Sequence, residues 1–243
     1  MYLLLSGEGK TDMGVCIPAQ AQCEGEQFKA GAMAVMVDQL VELNQGYEFS
    51  HLENGLVGFV AESGLIAGKP KAAKKSMRLR GQKRRSETQY YYANARALAT
   101  IAKQKADELN DKVVAVLFRD ADGTASAGRG EWQDKWNSML EGFAAEDYEF
   151  GVPMLPKPKS EAWLLCALKD NPYQHCTQLE EVSGNDGGKN PLKAQLAEIL
   201  EGEGSVGMIN QRLRDKQIEV ERIDMPSFNA FKDALKQVII QCK

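Results

Sequence analysis

Histidine is scarce in this sequence, with His51 and His175 alone among 243 residues, and no CxxC pair is present. The five cysteines, Cys16, Cys23, Cys166, Cys176 and Cys242, are an odd number at unrelated spacings, so no structural zinc site is expected. His175 beside Cys176 lacks a partner pair at ligand spacing and reads as a surface or packing residue. Long apolar runs are missing too. The longest, around Ala30 to Val37 and Gly55 to Ala61, fall well short of the roughly 18 to 20 residues of a membrane span. The opening MYLLL meets Ser6, Gly7 and Glu8 at once, without the basic start and apolar core of a secretory signal. A cytoplasmic protein without a membrane partner is the expectation. At 43% hydrophobic and 26% charged residues, the chain belongs with globular proteins of one or at most two domains.

Charge is present but unevenly placed. The formal net charge of −4 would argue against a nucleic-acid partner. Nine of the 30 basic residues, however, fall in one acid-free segment at 69–85, and the other 21 face all 34 acids. The average therefore conceals an acidic body with one basic insertion. Lys74, Lys75, Arg78, Arg80, Lys83, Arg84 and Arg85 in that insertion are candidate phosphate contacts, each releasing a condensed counterion on binding. A solvated charge run or a docking surface for an acidic protein are the other uses of such a segment.

The hydropathy pattern alternates short apolar strands with amphipathic helices. Tyr2 to Leu5 reads as a buried strand, Gln27 to Leu43 as a helix ended by Gly46, Ser86 to Leu109 as a second helix, and Lys112 to Arg119 as the clearest buried strand. Residues 47–68 fit a strand or a helical turn. Glu131 to Ala145, Tyr148 to Met154 and Ser160 to Leu168 continue as helix, strand and helix. Trp132 and Trp136, four apart, read as core. This order predicts an α/β fold with a doubly wound, mainly parallel sheet over residues 1–170. Residues 171–243, with Gly-rich breaks and a last helix capped by Ser227, predict a mostly helical C-terminal extension packed on it.

Ligands of open α/β sheets bind beyond the carboxyl ends of the strands. Glu8 follows the first strand, Asp120 and Asp122 follow the central one in RDADGT, and Glu161 opens the helix after PKPK. Clustered carboxylates repel unless a cation sits among them, and all-oxygen ligands favour Mg²⁺ or Mn²⁺. Asp12 reads as a cap of the following segment rather than a ligand. GEGKTD ends like a Walker A loop, but the glycine that motif needs at position 4 is Leu4. DADGT is similar to the haloacid dehalogenase signature, which would make Asp120 a phosphoryl-accepting nucleophile. That family's later acidic pair has no convincing counterpart here.

The set of Glu8 in EGKTD, Asp120-x-Asp122 and a later PxxxEAWLL-type helix resembles the TOPRIM domain, most closely the small TOPRIM-like proteins related to OLD-type nucleases in prokaryotic anti-phage defence loci. The match covers roughly residues 1–170. The resemblance implies a metal-dependent nuclease acting on DNA or RNA, an effector or accessory in defence. It implies Glu8 as metal ligand or general acid/base, Asp120 and Asp122 as Mg²⁺ (or Mn²⁺) ligands, Glu161 completing the shell and Lys159 stabilising phosphate charge. Nucleic acid is the implied partner, with a defence-system ATPase or sensor as a possible second one; oligomeric state is left open. A dehalogenase-like phosphatase and a non-catalytic module binding nucleic acid or protein are the rival readings.

Overall fold

Why the chain folds as it does is clearest in its first strand, where every residue is buried because the sheet is covered on both faces. The computed structural model describes residues 1–70, 86–121, 129–200 and 206–243. In chain order the elements begin with β1 (Tyr2–Gly7), a π-helical turn at Gly9–Met13, β2 (Gly14–Cys16), β3 (Gln22–Glu24), β4 (Phe28–Ala30) and α1 (Ala32–Gln45). There follow β5 (Val57–Val60), α2 (Glu62–Ala67), α3 (Ser86–Leu109), β6 (Val113–Phe118), α4 (Arg129–Ala145), β7 (Gly151–Met154) and α5 (Ser160–Leu168). The chain ends in α6 (Leu192–Ile199), α7 (Val206–Arg214) and α8 (Pro226–Cys242).

The main sheet has the order β3-β5-β1-β6-β7. β1 runs parallel to both β5 and β6, and β6 parallel to β7. The sheet is mixed, because β3 pairs antiparallel with β5 at the edge. Period-two alternation sorts the strand residues between two cores. Leu3, Leu5, Val114, Val116 and Phe118 face the layer of α1, α5 and α8, whereas Tyr2, Leu4, Val113, Ala115 and Leu117 face α3 and α4. From β1 the chain crosses to β5 on one side, then to β6 on the other. The gap between β1 and β6 is therefore the topological switch point, where loops diverge and a ligand can enter.

Four details differ from the sequence reading. The helix expected from Gln27 starts at Ala32, because Phe28–Ala30 pairs antiparallel with Gly14–Cys16; it ends as expected at Gly46, in the left-handed region at φ 81°. The strand expected from Tyr148 starts at Gly151, and the Tyr148 hydroxyl instead donates to the Val113 carbonyl. Ser227 does not cap α8; Pro226 opens that helix after Met225, and Ser227 lies inside it. The cysteines, whose odd number and unrelated spacings suggested no pairing in the sequence, form two disulfides, Cys16–Cys23 and Cys166–Cys176, and Cys242 is free. The C-terminal helices share the first core: Trp163 of α5 contacts Phe228 edge-on and stacks with Phe231, both on α8. Trp132 and Trp136 stack at 5.2 Å between ring centroids, with Trp136 buried. No helix among the described residues is long and apolar enough to cross a membrane.

Candidate active site

The switch point collects acids from three segments. Glu8 follows β1 directly, and its Oε1 accepts the backbone N–H of Asp120 at 3.0 Å. Asp120 follows β6 by two residues, and its Oδ1 accepts the backbone N–H of Ser160, the first residue of α5, at 3.0 Å. The Ser160 hydroxyl turns the other way and donates to Asp12 Oδ1 at 2.5 Å. Glu161, next on α5, has a buried Oε2 without a hydrogen-bond partner among the described residues. Ser160 thus bridges the β1 turn and the β6 end.

Backbone geometry holds these positions. Gly9 adopts φ +77°, and a Cβ there would stand 2.4 Å from Asp12 Oδ2, so the glycine lets the turn fold the Asp12 carboxylate back over it. Gly31 approaches from the other side; a Cβ on it would meet the Asp12 carbonyl oxygen at 2.2 Å and that of Thr11 at 2.5 Å. On the β6 side, the Tyr91 hydroxyl of α3 donates to the Asp120 carbonyl at 2.9 Å, and Lys135 Nζ of α4 donates to that of Ala121 at 2.5 Å. Helices of the second core therefore clamp the loop that carries Asp120.

The electrostatics follow from that crowding. Burial pushes the Asp120 carboxyl up to about 8, with the negative charges of Asp12, Glu161 and Glu8 adding to the effect against the Ser160 N–H, which pulls it down. Glu161 is raised as well, first by burial and then by Asp12, while Lys159 opposes the rise. Lys159 itself lies 3.1 Å from Asp186. The pattern is that of carboxylates held near one another at a cost that a cation would relieve.

Of the residues expected at the site, Glu8, Asp120, Glu161 and Lys159 are brought within electrostatic or hydrogen-bonding reach of one another. Asp122 lies outside the described residues, as do Lys74, Lys75, Arg78, Arg80, Lys83, Arg84 and Arg85. Asp12, expected to cap a segment, belongs to the acidic cluster, which corrects that reading. Its place four residues after Glu8, in a glycine-flanked turn, was the available signal. The donor set suits a hard cation: all oxygen, with one carboxylate oxygen unpartnered among the described residues and one carboxyl pushed up to about 8 by burial and neighbouring acids. Among the described residues, no three His, Cys, Asp or Glu side chains already stand in the arrangement of a metal-holding group. A cleft of about 490 Å³ opens beside Glu8, walled by Gly9, Gly14, Cys16 and Glu62 among others. Comparison with protein-family models, curated proteins and solved structures matches the chain to none of them.

Proposed function

We propose that the chain is a metal-dependent phosphodiesterase, a nuclease of DNA or RNA, working at Glu8, Asp12, Asp120 and Glu161. The observation that supports it is the convergence of these four acids from three segments at the β1–β6 switch point, with Asp120 pushed up to about 8. Asp120 and Glu161 would hold Mg²⁺ or Mn²⁺, with Asp12 beside them and Asp122 as expected from the DxD spacing. When bound, such an ion lowers the pKa of a water nucleophile and neutralises charge on phosphoryl oxygens. Glu8, whose Oε1 accepts the Asp120 N–H, would accept or return a proton beside the residues that hold the ion. Lys159, at the entry of α5 and ion-paired with Asp186, would stabilise phosphate charge. The basic segment at 69–85 supplies sequence-independent grip on nucleic acid. A place in anti-phage defence, alone or with an ATPase or sensor, follows from the resemblance.

The test is incubation of purified protein with plasmid, single-stranded DNA and RNA, in Mg²⁺, Mn²⁺ or EDTA, beside Glu8→Gln and Asp120→Asn. Cleavage by wild type that needs metal and is lost in both variants is the expected result. Equal cleavage by the variants, or a phosphoenzyme trapped on Asp120, would overturn the assignment.

A further inference from the structure

Arg119 is a large cation in the heart of the fold, fully buried between Phe118 and Asp120. Its Nη1 donates to the Phe118 carbonyl at 2.7 Å, but Nε and Nη2 are buried without an acceptor among the described residues. Those two nitrogens form one edge of the guanidinium, the edge that presents two parallel N–H groups to a pair of oxygens. A buried donor left unpaired is costly, and here a complete bidentate fork is unpaired. Most buried polar groups are satisfied in folded proteins, so this edge calls for an acceptor.

Its surroundings indicate where the acceptor comes from. The guanidinium carbon lies 5.5 Å from the ring centroid of Tyr90, which is 38% exposed. The Tyr90 hydroxyl donates to Glu62 Oε1 at 3.0 Å, across an exposed hydrogen bond. Glu62 and Glu8 both wall the cleft of about 490 Å³ at the carboxyl ends of the strands. One aromatic side chain, tethered by one exposed hydrogen bond, therefore stands beside both the unpaired fork and that cleft.

We propose that Arg119 is an anion-binding residue whose Nε and Nη2 take two oxygens of a phosphate group, with Tyr90 as the side chain that moves to admit it. As a site for phosphate the inference stands on Arg119 and Tyr90 alone; as the place of the scissile phosphodiester it rests on the nuclease reading. Arg119 directly precedes Asp120, so a phosphate on the fork sits at the strand end where the carboxylates meet. The fork then orients the phosphate and offsets its charge beside the carboxylates of the strand end. Lysine at this position cannot reproduce the two fixed parallel donors.

The test uses the full chain in EDTA, which separates this site from metal binding. Inorganic phosphate is titrated by isothermal calorimetry into wild type and Arg119→Lys, with acetate as a control anion. Saturable phosphate binding, at least tenfold weaker in Arg119→Lys and unmatched by acetate, is expected. In parallel, arginine modification by phenylglyoxal is mapped by mass spectrometry on wild type, so that a variant that fails to fold does not decide the matter. Phosphate is expected to slow modification at Arg119 at least threefold. Equal phosphate affinity in a folded Arg119→Lys, or an Arg119 that phenylglyoxal never reaches or that phosphate does not protect, would overturn the proposal. Loss of nuclease activity alone would leave it standing, because neither arm involves cleavage.

Discussion

The backbone N–H of Asp120 donates to Glu8 Oε1 across 112 residues of sequence, so the ends of two adjacent parallel strands are joined by a carboxylate rather than by a loop. The bond satisfies Glu8 without touching the Asp120 carboxyl, which is left facing Ser160 and the other acids. That carboxyl is the most perturbed acid at the site, and its titration is measurable.

The pH dependence of stability should carry the signature of Asp120. Its folded-state value, about 8, lies above the ordinary 3.8, so the folded protein keeps a proton that the unfolded chain has released. Stability is then highest at acid pH and falls as pH rises through that window. Asp120→Asn removes the ionisation. Its melting temperature is expected to exceed that of wild type by about 5 °C at alkaline pH and to converge with it near the lower end, since a protein of this size shifts by a few degrees per kcal/mol. Saturating Mg²⁺ should restore much of the wild-type loss and leave Asp120→Asn unchanged. Parallel melting curves for the two proteins across the whole window would exclude Asp120 as the source of the pH dependence.

The position of Asp12 depends on Gly31, whose missing side chain leaves room for the Thr11 and Asp12 carbonyls. Gly31→Ala is expected to displace the Gly9–Met13 turn, costing about 1–3 kcal/mol in urea denaturation as overpacking does. Mn²⁺ binding followed by electron paramagnetic resonance should weaken with it. Asp12→Asn, which keeps the turn and changes only the charge, should weaken Mn²⁺ binding at least tenfold with little loss of stability. Unchanged Mn²⁺ affinity in both variants would remove Asp12 from the site.

A second buried polar network fixes α5 from behind. Trp163 Nε1 donates to Ser227 Oγ at 2.9 Å, and the Ser227 hydroxyl and backbone N–H both donate to Glu180 Oε1, at 2.6 and 2.7 Å. All three residues are buried. Ser227→Ala strands the indole N–H and removes one of the two donors to Glu180, so a loss of about 2–3 kcal/mol is expected. Chemical denaturation of Ser227→Ala beside Ser227→Thr checks it, with the threonine variant retaining part of the difference. A loss below about 0.5 kcal/mol, the ordinary range for a surface change, would mean the network carries no weight.

What could be read from the sequence follows from where the signals are local. Lys112 and Arg119 bracket an apolar run with no polar interruption, so β6 was legible to within a residue. α3 and α5 matched their expected spans because helical periodicity needs no distant partner. That Glu8, Asp120 and Glu161 come together was legible because an α/β order brings its strand ends to one edge of the sheet. Asp12 was not, since its role depends on Ser160, 148 residues away. Ser227 looked like a cap because serine at a helix start usually is one, and only the Trp163 and Glu180 contacts reveal its other use. β2, β3 and β4 span three residues each, too short for a period-two pattern to register. The unpaired fork of Arg119 was hidden for the same reason: a basic residue ending an apolar strand reads as its solvated boundary.

The cysteine pairs were equally invisible, because separations of 7 and 10 residues match no recognised pattern. They have a direct check. Alkylation of the protein, denatured without reductant, should add one label, at Cys242; alkylation after reduction should add five. Closing loops of these lengths stabilises a fold by roughly 2–3 kcal/mol each in the chain-entropy account, so Cys16→Ser with Cys23→Ser, and Cys166→Ser with Cys176→Ser, should each lower the melting temperature by about 5–10 °C. The two pairs should differ in one respect. All four lie in the first core, but Cys16 walls the cleft beside Glu8, whereas Cys166, on α5, and Cys176 are not among the described residues that wall it. Loss of the first pair should therefore change phosphate or Mn²⁺ binding at the cleft, and loss of the second should act through stability alone. Five labels on the unreduced protein would show that the cysteines stand close without being joined, and the stability differences would then reflect packing only.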